Sequence, residues 1–471
     1  MKLYSSMSDA GFKVAETGSD ILLDGMFATQ AVSVALDDLA RLRTMMSFEV
    51  ALAEAEATLG IIPVTAAKHI ASCARPEQMD VSALAAAAAR AGNIAIPFVA
   101  AFTSLIAKDN PEAARYVHWG ATSQDVIDTA TILQLQEAIM AIKIDLLRLE
   151  QTLAGITEDH VETVLPGRTW LQHAVPTTFG LKAAGWLTAV TQARRHLETA
   201  VARASYIQFG GAVGTLASLD GRGVEVAAEL ARRLNLNVPP LPWHTLRGDL
   251  AACGSALGIL CGALGKLARD LSLMMQTEIA EILPPGGKEQ GGSSTMPHKR
   301  NPVGCAIALS AATQAPGLVA TMLSAMVQAH ERGLGGWHAE WQTLPTLLRL
   351  TSASAAHMAD TVETMEIRPD AMRDDLGKTH GLMMAEAISM ALAERLGRET
   401  AHHLLQELTK KAVRRNVPLD AVLQEDDRVT TILSTDDINR LMDPSGYLGN
   451  ARNFCIRSVE AWRNGENKKC S

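Results

Sequence analysis

A short loop carries the residue types that proton transfer and anion stabilisation require. Residues 291–302 have the sequence GGSSTMPHKRNP. The glycines give the backbone conformational freedom, and Pro302 stands directly before an apolar, helix-like run, a favoured place for proline. Composition alone would favour a Gly/Ser linker, but linkers rarely carry Met-Pro-His-Lys-Arg-Asn-Pro. We therefore predict a mobile loop that brings a serine and a lysine onto an anionic substrate.

A second polar cluster, HWGATSQD at residues 118–125, precedes another long apolar stretch. Ser, Thr and Asp in this position could simply cap the N-terminus of a helix. Capping explains one of these residues, but it does not explain His118, Thr122 and Ser123 together. Because hydroxyl and amide groups at a helix N-terminus also form an anion site, we favour carboxylate binding over capping alone.

A third segment, residues 167–180, contains Arg168, Trp170 and His173 in the sequence GRTWLQHAVPTTFG. A lone histidine before a helix is more often structural than catalytic. Here, however, the histidine stands close to an arginine, a glutamine and a threonine, so the segment is a candidate for anion binding.

These three segments resemble the signature regions of the fumarase/aspartase superfamily. Residues 292–302 match its pattern G-S-S-x-M-P-x-K-x-N-P at every fixed position. The superfamily comprises lyases and one group of cycloisomerases, which make or break a C–N or C–O bond beside a carboxylate. The resemblance implies that Ser293 is the acid/base at carbon, while Lys299 and Asn301 stabilise charge. It also implies substrate contacts for Ser294 and Met296 in the same loop.

Trp170 departs from the superfamily's amine-releasing members. Adenylosuccinate and argininosuccinate lyases, which the chain resembles elsewhere, carry at this place a histidine that is assigned to protonate the departing amine. An indole N–H can donate a hydrogen bond but cannot serve as a general acid. A departing carboxylate needs no such help, because its conjugate acid has a pKa of about 4. The exchange therefore favours a carboxylate that adds to, or leaves, a carbon chain; the alternative is that Trp170 merely packs.

Two further segments agree with that chemistry. Residues 330–345 include the run WHAEW, and residues 442–449 have the sequence MDPSGYLG. Both resemble 3-carboxy-cis,cis-muconate cycloisomerases, and the resemblance extends from about Leu22 to Ala461. It implies closure of 3-carboxy-cis,cis-muconate to 4-carboxymuconolactone, in aromatic catabolism through protocatechuate and β-ketoadipate. Residues 243–252 keep Arg247 but depart from the pattern W-H-T-Q-R-D-R-L-A-E at Leu246, Gly248, Asp249 and Ala252, which leaves the exact substrate open.

Together the segments predict a site for a small polycarboxylate. The catalytic candidates are Ser293, Lys299 and Asn301, and the substrate-binding candidates are His118, Thr122, Ser123, Arg168, Trp170, His173, Arg247, Ser294, Met296 and Arg332. A C–N lyase of the adenylosuccinate lyase type, or one acting on another substituted succinate, is the main alternative. A third hypothesis is a non-catalytic structural relative, as some lens crystallins are. The presence of Ser293, Lys299 and Asn301 argues against it.

Composition excludes several other classes of protein. The 471 residues carry a net charge of −8, so no general affinity for nucleic acid is expected. The six cysteines show no paired spacing, which indicates reduced thiols in a cytoplasmic protein. The apolar run from Leu250 to Gly265 is shorter than the about 20 residues of a membrane span, and the N-terminus lacks the apolar core of a secretory signal. No cofactor and no metal are implied.

The pattern of apolar residues predicts an all-α fold of the fumarase/aspartase type. Three regions follow: shorter helices over 1–110 with a loose tail over about the first 18 residues, a central long-helix bundle over 111–365, and a helical C-terminal region over 366–471. Helices that are apolar on nearly all sides must be buried, which predicts an obligate homo-oligomer. The resemblance implies a homotetramer whose active sites combine three subunits. The long helices are predicted over 128–158, 175–208, 248–282, 303–331 and 344–366.

Overall fold

The computed structural model of the chain describes residues 21–285, 296 and 299–467. The predicted N-terminal tail, Ser293 and Ser294 lie outside the described residues.

Short helices form the first part of the described chain. The side chain of Asp37 accepts a hydrogen bond from the Ala40 amide at 2.7 Å and thereby caps the longest of them. Gly92 ends another in the left-handed conformation, which glycine adopts without steric cost. These helices are α1 Ile21–Phe27, α2 Gln30–Ala35, α3 Asp38–Thr58, α4 Val64–Ser72, α5 Val81–Ala91, α6 Ala95–Ala107 and α7 Pro111–Ala114.

Much longer helices follow, as the spacing of apolar residues predicts. In chain order they and one shorter helix are α8 Ser123–Asp159, α9 Phe179–Ala204, α10 Gly223–Leu234, α11 Gly248–Met274, α12 Val303–Ala325 and α13 Gly336–Thr364. The five predicted long helices are thus present, although their ends differ from the predicted ones by up to eight residues. The largest differences are at α11, which ends at Met274, and at α13, which begins at Gly336 and so includes the WHAEW run.

Shorter helices make up the C-terminal part. A capping box formed by Ser434 and Asp437 starts one of them. The helices are α14 Pro369–Gly377, α15 Ala385–Leu396, α16 Arg398–Arg415, α17 Leu419–Gln424, α18 Asp427–Thr430, α19 Thr435–Leu441 and α20 Ala451–Asn467. The all-α fold predicted from the sequence is confirmed.

An antiparallel hairpin precedes α9 where the sequence predicted helix from residue 175. Its strands are β1 Val164–Thr169 and β2 Gln172–Thr178, with Arg168 paired to His173. Proline on each strand, at 166 and 176, and the β-branched residues beside it oppose an α-helix here. A second, two-residue ladder joins β3 Ile282–Leu283 to β4 Glu366–Ile367.

Contacts divide the chain into two units that are discontinuous in sequence. Unit 1 comprises residues 1–145, 193–262 and 310–356, and unit 2 comprises residues 146–192, 263–309 and 357–471. The residues of the five long helices are therefore shared between the units. The division into three consecutive regions stays a prediction.

Two helices, α11 and α12, are long and apolar enough to cross a membrane by length and composition alone. A core helix of a soluble protein meets the same criteria. The most apolar window of α11 is 61% buried, whereas that of α12 is only 28% buried. Most of the apolar window of α12 is thus not buried by the residues that the structure describes.

Candidate active site

Unit 1 contains a polar cluster that we call the cradle, made of Thr122, Ser123 and Arg332. The Arg332 guanidinium donates to the Thr122 hydroxyl at 2.7 Å and to the Ser123 hydroxyl at 3.0 Å. Each hydroxyl uses a lone pair for this contact, so its own proton is available to a further acceptor. All three residues are partly exposed, and Ser123 begins the 37-residue helix α8. A helix N-terminus with an arginine and two hydroxyls is suited to a carboxylate.

A buried aspartate holds the start of α8 in place beneath the cradle. Asp125 is fully buried and accepts hydrogen bonds from the amides of Thr122, Gly210 and Gly211. It also pairs with His244 Nε2 at 2.9 Å. These contacts tie the glycine-rich segment near residue 210 to the helix N-terminus. They fix the geometry of the cradle without using its hydroxyl groups.

His118 is held by a buried carboxylate. Its Nδ1 lies 2.6 Å from Oε1 of Glu49, which is 2% exposed. Burial lowers the pKa of His118, but the charge and hydrogen bond of Glu49 outweigh this effect, so the pKa is raised above its ordinary value. The backbone of His118 has a positive φ of 59°, which is uncommon for a residue with a side chain. The contact with Glu49 thus favours the imidazolium more than in a free histidine, and an imidazolium is a suitable partner for an anion.

A second buried glutamate, Glu56, lies on the same helix as Glu49. Neither of its carboxyl oxygens has a hydrogen-bond partner within the described part of the chain. Burial, reinforced by the Glu49 charge, raises the pKa of Glu56 to about 9. Glu56 is therefore a neutral carboxylic acid at pH 7.

We expect Glu56→Gln to stabilise the protein increasingly as the pH rises. The folded pKa of about 9 lies above the ordinary value of 4.5, so the wild type loses stability between these values, by about 1.4 kcal/mol per pH unit at most. Glutamine does not titrate and avoids this loss. Melting temperatures measured from pH 5 to 9 should therefore diverge, with the variant higher. Glu54→Gln, at a partly exposed position of α3 where the carboxylate pairs with Arg233, is the control, and a pH-independent difference for Glu56→Gln would contradict the assignment.

Arg247 occupies a different environment from the one expected of a substrate-binding residue. It is 2% exposed, and its guanidinium donates four hydrogen bonds to Asp128 and Glu340. The indole of Trp337 also donates to Asp128 at 2.9 Å. The WHAEW run thus supplies the acceptor Glu340 and the donor Trp337 to a buried ion-pair network. These contacts favour a structural role for Arg247, because four of its five N–H donors are already engaged.

In unit 2 the β1–β2 hairpin carries three candidates. Arg168 donates to both oxygens of Glu281, at 2.9 and 2.8 Å, and to Asp375 at 3.2 Å. Its cross-strand neighbour His173 has a buried Nδ1 without a partner among the described residues. Burial and then the Arg168 charge lower the pKa of His173. The hairpin therefore presents a neutral imidazole beside a guanidinium that two carboxylates orient.

Trp170 forms the tip of this hairpin with Leu171. Both residues have positive φ, 54° and 64°, as the two central residues of a type I′ turn require. The two central positions of that turn favour Asn and Gly, so Trp and Leu at these positions cost conformational free energy. The Trp170 side chain is 98% exposed. A large apolar side chain displayed on a strained turn indicates a residue whose contacts lie outside its own chain, a hypothesis of function drawn from the strain.

The predicted catalytic loop is only partly described. Met296 and Lys299 are exposed, and the Lys299 amide donates to the Met296 carbonyl at 3.0 Å. Asn301 is partly buried and directly precedes Pro302 and the first turn of α12. The roles of these residues, like those of Ser293 and Ser294 outside the described residues, stay predictions.

The sequence analysis did not predict the carboxylates that hold the candidates. Asp125 stood in the quoted cluster, where its type was explained by the start of a helix, and Asp128 lies three residues beyond it. Glu281 and Glu340 are distant in sequence from the arginines they bind. The signal that could have identified these carboxylates is an acidic residue among apolar neighbours, because a buried acid needs a charged or hydrogen-bonded partner.

Comparisons with known proteins identify the family of the chain. A family model described as a lyase matches residues 23–317, and one described as the adenylosuccinate lyase C-terminus matches residues 381–457. The 3-carboxy-cis,cis-muconate cycloisomerase of Bradyrhizobium diazoefficiens is 49% identical over 440 residues, covering 93% of this chain and 98% of that protein. A nitrosuccinate lyase of Streptomyces davaonensis is 40% identical, with 93% and 94% covered.

A solved structure shares the fold. The crystal structure of the 3-carboxy-cis,cis-muconate lactonizing enzyme from Pseudomonas putida superimposes with a TM-score of 0.88 at 47% identity, covering 93% of this chain and 98% of that one. Similarity that covers 93% of the chain extends over residues of both units. The chain therefore belongs to the fumarase/aspartase superfamily of lyases and is similar over nearly its whole length to the 3-carboxy-cis,cis-muconate cycloisomerases.

Proposed function

We propose that the chain is an enzyme that closes 3-carboxy-cis,cis-muconate to 4-carboxymuconolactone in aromatic catabolism through protocatechuate. The observation that carries the proposal is the 49% identity to a cycloisomerase over 93% of the chain. The exposed Trp170 supports it further, because it replaces the histidine that serves as general acid in amine-releasing relatives. The reaction needs no strong acid for a leaving group, since the group that adds or leaves is a carboxylate.

The chemistry divides between bond formation and proton delivery. One carboxylate oxygen of the substrate forms a C–O bond to a carbon of the double bond, and the electron pair moves toward the neighbouring carbon beside another carboxylate. Ser293 delivers its proton to that carbon, and in the reverse direction it removes the proton. Lys299, Asn301 and the N-terminus of α12 stabilise the enolate-like carboxylate that develops, which is often the largest catalytic contribution.

The remaining candidates bind the substrate's charges. The cradle in unit 1 holds one carboxylate, and the raised pKa of His118 supports a second positive charge beside it. In unit 2, Arg168 is partly exposed and offers the N–H donors that Glu281 and Asp375 do not engage, and the neutral His173 offers an unused ring nitrogen. Trp170 covers the reacting atoms and excludes water. No cofactor or metal takes part in this scheme.

The working form is a homotetramer in the cytoplasm, with each active site built from three subunits. Support comes from the apolar surface that α12 leaves uncovered. Exposed apolar side chains on α8, among them Met140 and Ile144 at 70% each, point the same way, since isolated chains rarely display large apolar surfaces.

An ultraviolet assay tests the proposed reaction. The purified protein is offered 3-carboxy-cis,cis-muconate, adenylosuccinate, argininosuccinate, fumarate and nitrosuccinate in turn. Turnover of the muconate alone supports the proposal. Turnover of a substituted succinate, with no turnover of the muconate, would favour the second candidate function, a C–N lyase. Nitrosuccinate is included because the chain is similar to a nitrosuccinate lyase.

We expect Trp170→Phe to keep much of the lactonising activity, because phenylalanine preserves most of the apolar bulk. Trp170→His should not improve it, since a proton donor offers nothing to a weakly basic leaving group. In an amine-releasing lyase the same histidine could raise turnover by roughly 10²–10⁴-fold. Turnover of both variants on the muconate and on adenylosuccinate distinguishes these cases. A wild type inert on the muconate, together with a histidine variant that gains amine release, would overturn the proposal.

A further inference from the structure

Unit 1 contains a cavity of about 430 Å³ that lies behind the Arg247 network. Its walls come from α3, α5, α8, α11 and α13 and are mainly apolar, with Met45, Ile127, Leu135 and Leu344 among them. The volume falls within the range of about 300–1,000 Å³ that is usual for small-molecule sites. Such a cavity suits an apolar molecule with few polar groups.

Most polar groups in the cavity wall already have partners. Gln134 donates to the Ala35 carbonyl, and Asp128 and Glu340 accept from Arg247. These groups therefore offer little to a ligand. Their hydrogen bonds are made within the protein.

Two donors in the wall are different. Arg41 lines the cavity, and its guanidinium makes no hydrogen bond or ion pair with the part of the chain that the structure describes. Burial lowers the pKa of Arg41, and the charge of Arg349 adds to this effect, although Asp38 opposes it. The buried indole Nε1 of Trp341 likewise has no acceptor within the described residues. Arg41 is partly exposed, so its guanidinium is accessible to a ligand oxygen, and the buried Trp341 donor lacks the acceptor that such an oxygen would supply.

From these observations we infer a second ligand site in this cavity, specific for a small monocarboxylic acid with an apolar, chain-like or aromatic body. The carboxylate binds Arg41 and accepts from Trp341 Nε1, and the body occupies the apolar space. A tricarboxylate such as the proposed substrate does not fit, because its other charges would lie against apolar walls. The site is separate from the cradle and does not depend on the proposed reaction.

Isothermal titration with 4-phenylbutyrate, and with its neutral analogue 4-phenylbutyramide, tests the site on the full-length protein. We expect the acid to bind, and the amide to bind at least tenfold more weakly. Arg41→Gln should weaken binding of the acid by about tenfold or more, the loss of one charged hydrogen-bond partner. Trp341→Phe keeps the ring but removes the donor, and it should cause a smaller loss, about three- to tenfold.

Two arginine variants serve as matched controls. Arg43→Gln removes an exposed guanidinium from the same helix, where it pairs with Glu137, and it should leave the affinity unchanged. Arg332→Gln alters the cradle and should also leave it unchanged. Failure of the wild type to bind the acid, equal affinity in Arg41→Gln, or a loss confined to Arg332→Gln would each overturn the inference. Melting curves of all variants establish that they are folded.

Discussion

A Ser293→Ala variant is expected to assemble normally and to lose nearly all turnover. The hydroxyl is the proposed proton carrier, and general acid–base catalysis typically contributes roughly 10²–10⁴-fold to the rate. Lys299→Met should also lower turnover sharply, because it removes charge that stabilises the transition state. Initial rates on 3-carboxy-cis,cis-muconate, with size-exclusion chromatography of each variant, make the measurement.

Thr295→Ala provides the control for the serine substitution, because it makes a similar deletion in the same loop at a position that the superfamily pattern leaves variable. It should keep most of the activity. Near-normal turnover in Ser293→Ala would remove Ser293 from the mechanism, whatever the substrate proves to be.

Two inactive variants are expected to restore activity when they share a tetramer. His118→Ala and Ser293→Ala are mixed in equal amounts, denatured and refolded together. If the two residues of one site come from different subunits, random assembly leaves about a quarter of the sites without either lesion. The mixture should therefore recover about that fraction of the activity of refolded wild type.

Each variant refolded alone controls for residual activity, and refolded wild type controls for the yield. A mixture as inactive as its parents, with good recovery of the wild type, would mean that each site is built within one chain.

The helices could be predicted from the sequence because their signal is local. Apolar residues at helical spacing identified the five long helices before any contact was known. The β1–β2 hairpin escaped prediction because Ala174, Val175 and the threonines after Pro176 lead smoothly into the apolar face of α9. Only pairing with β1 makes that segment a strand, and pairing between strands is not visible in a single periodic pattern.

The candidate site was predictable only in part. Motifs led to Thr122, Ser123 and Arg332, and the structure brings these residues together although Arg332 lies 209 residues from Ser123. For Arg247 the motif did not reveal the buried partners, because residue type does not show whether a guanidinium faces a ligand or a buried carboxylate. Its partners Asp128 and Glu340 lie 119 and 93 residues away. Tertiary contacts of this range decide whether a charge supports the fold or remains available to a substrate.

The uncovered surface of α12 has a consequence for handling the enzyme. If copies of the chain complete the burial of this helix, the free energy of unfolding includes the free energy of subunit association. The apparent stability then depends on protein concentration. Dilution to the nanomolar concentrations of a rate assay would then release subunits with a large apolar helix in contact with water. Activity would decay with time after dilution, and a concentrated stock or added carrier protein would slow the decay. Specific activity measured against enzyme concentration would thus report on the quaternary structure as well as on catalysis.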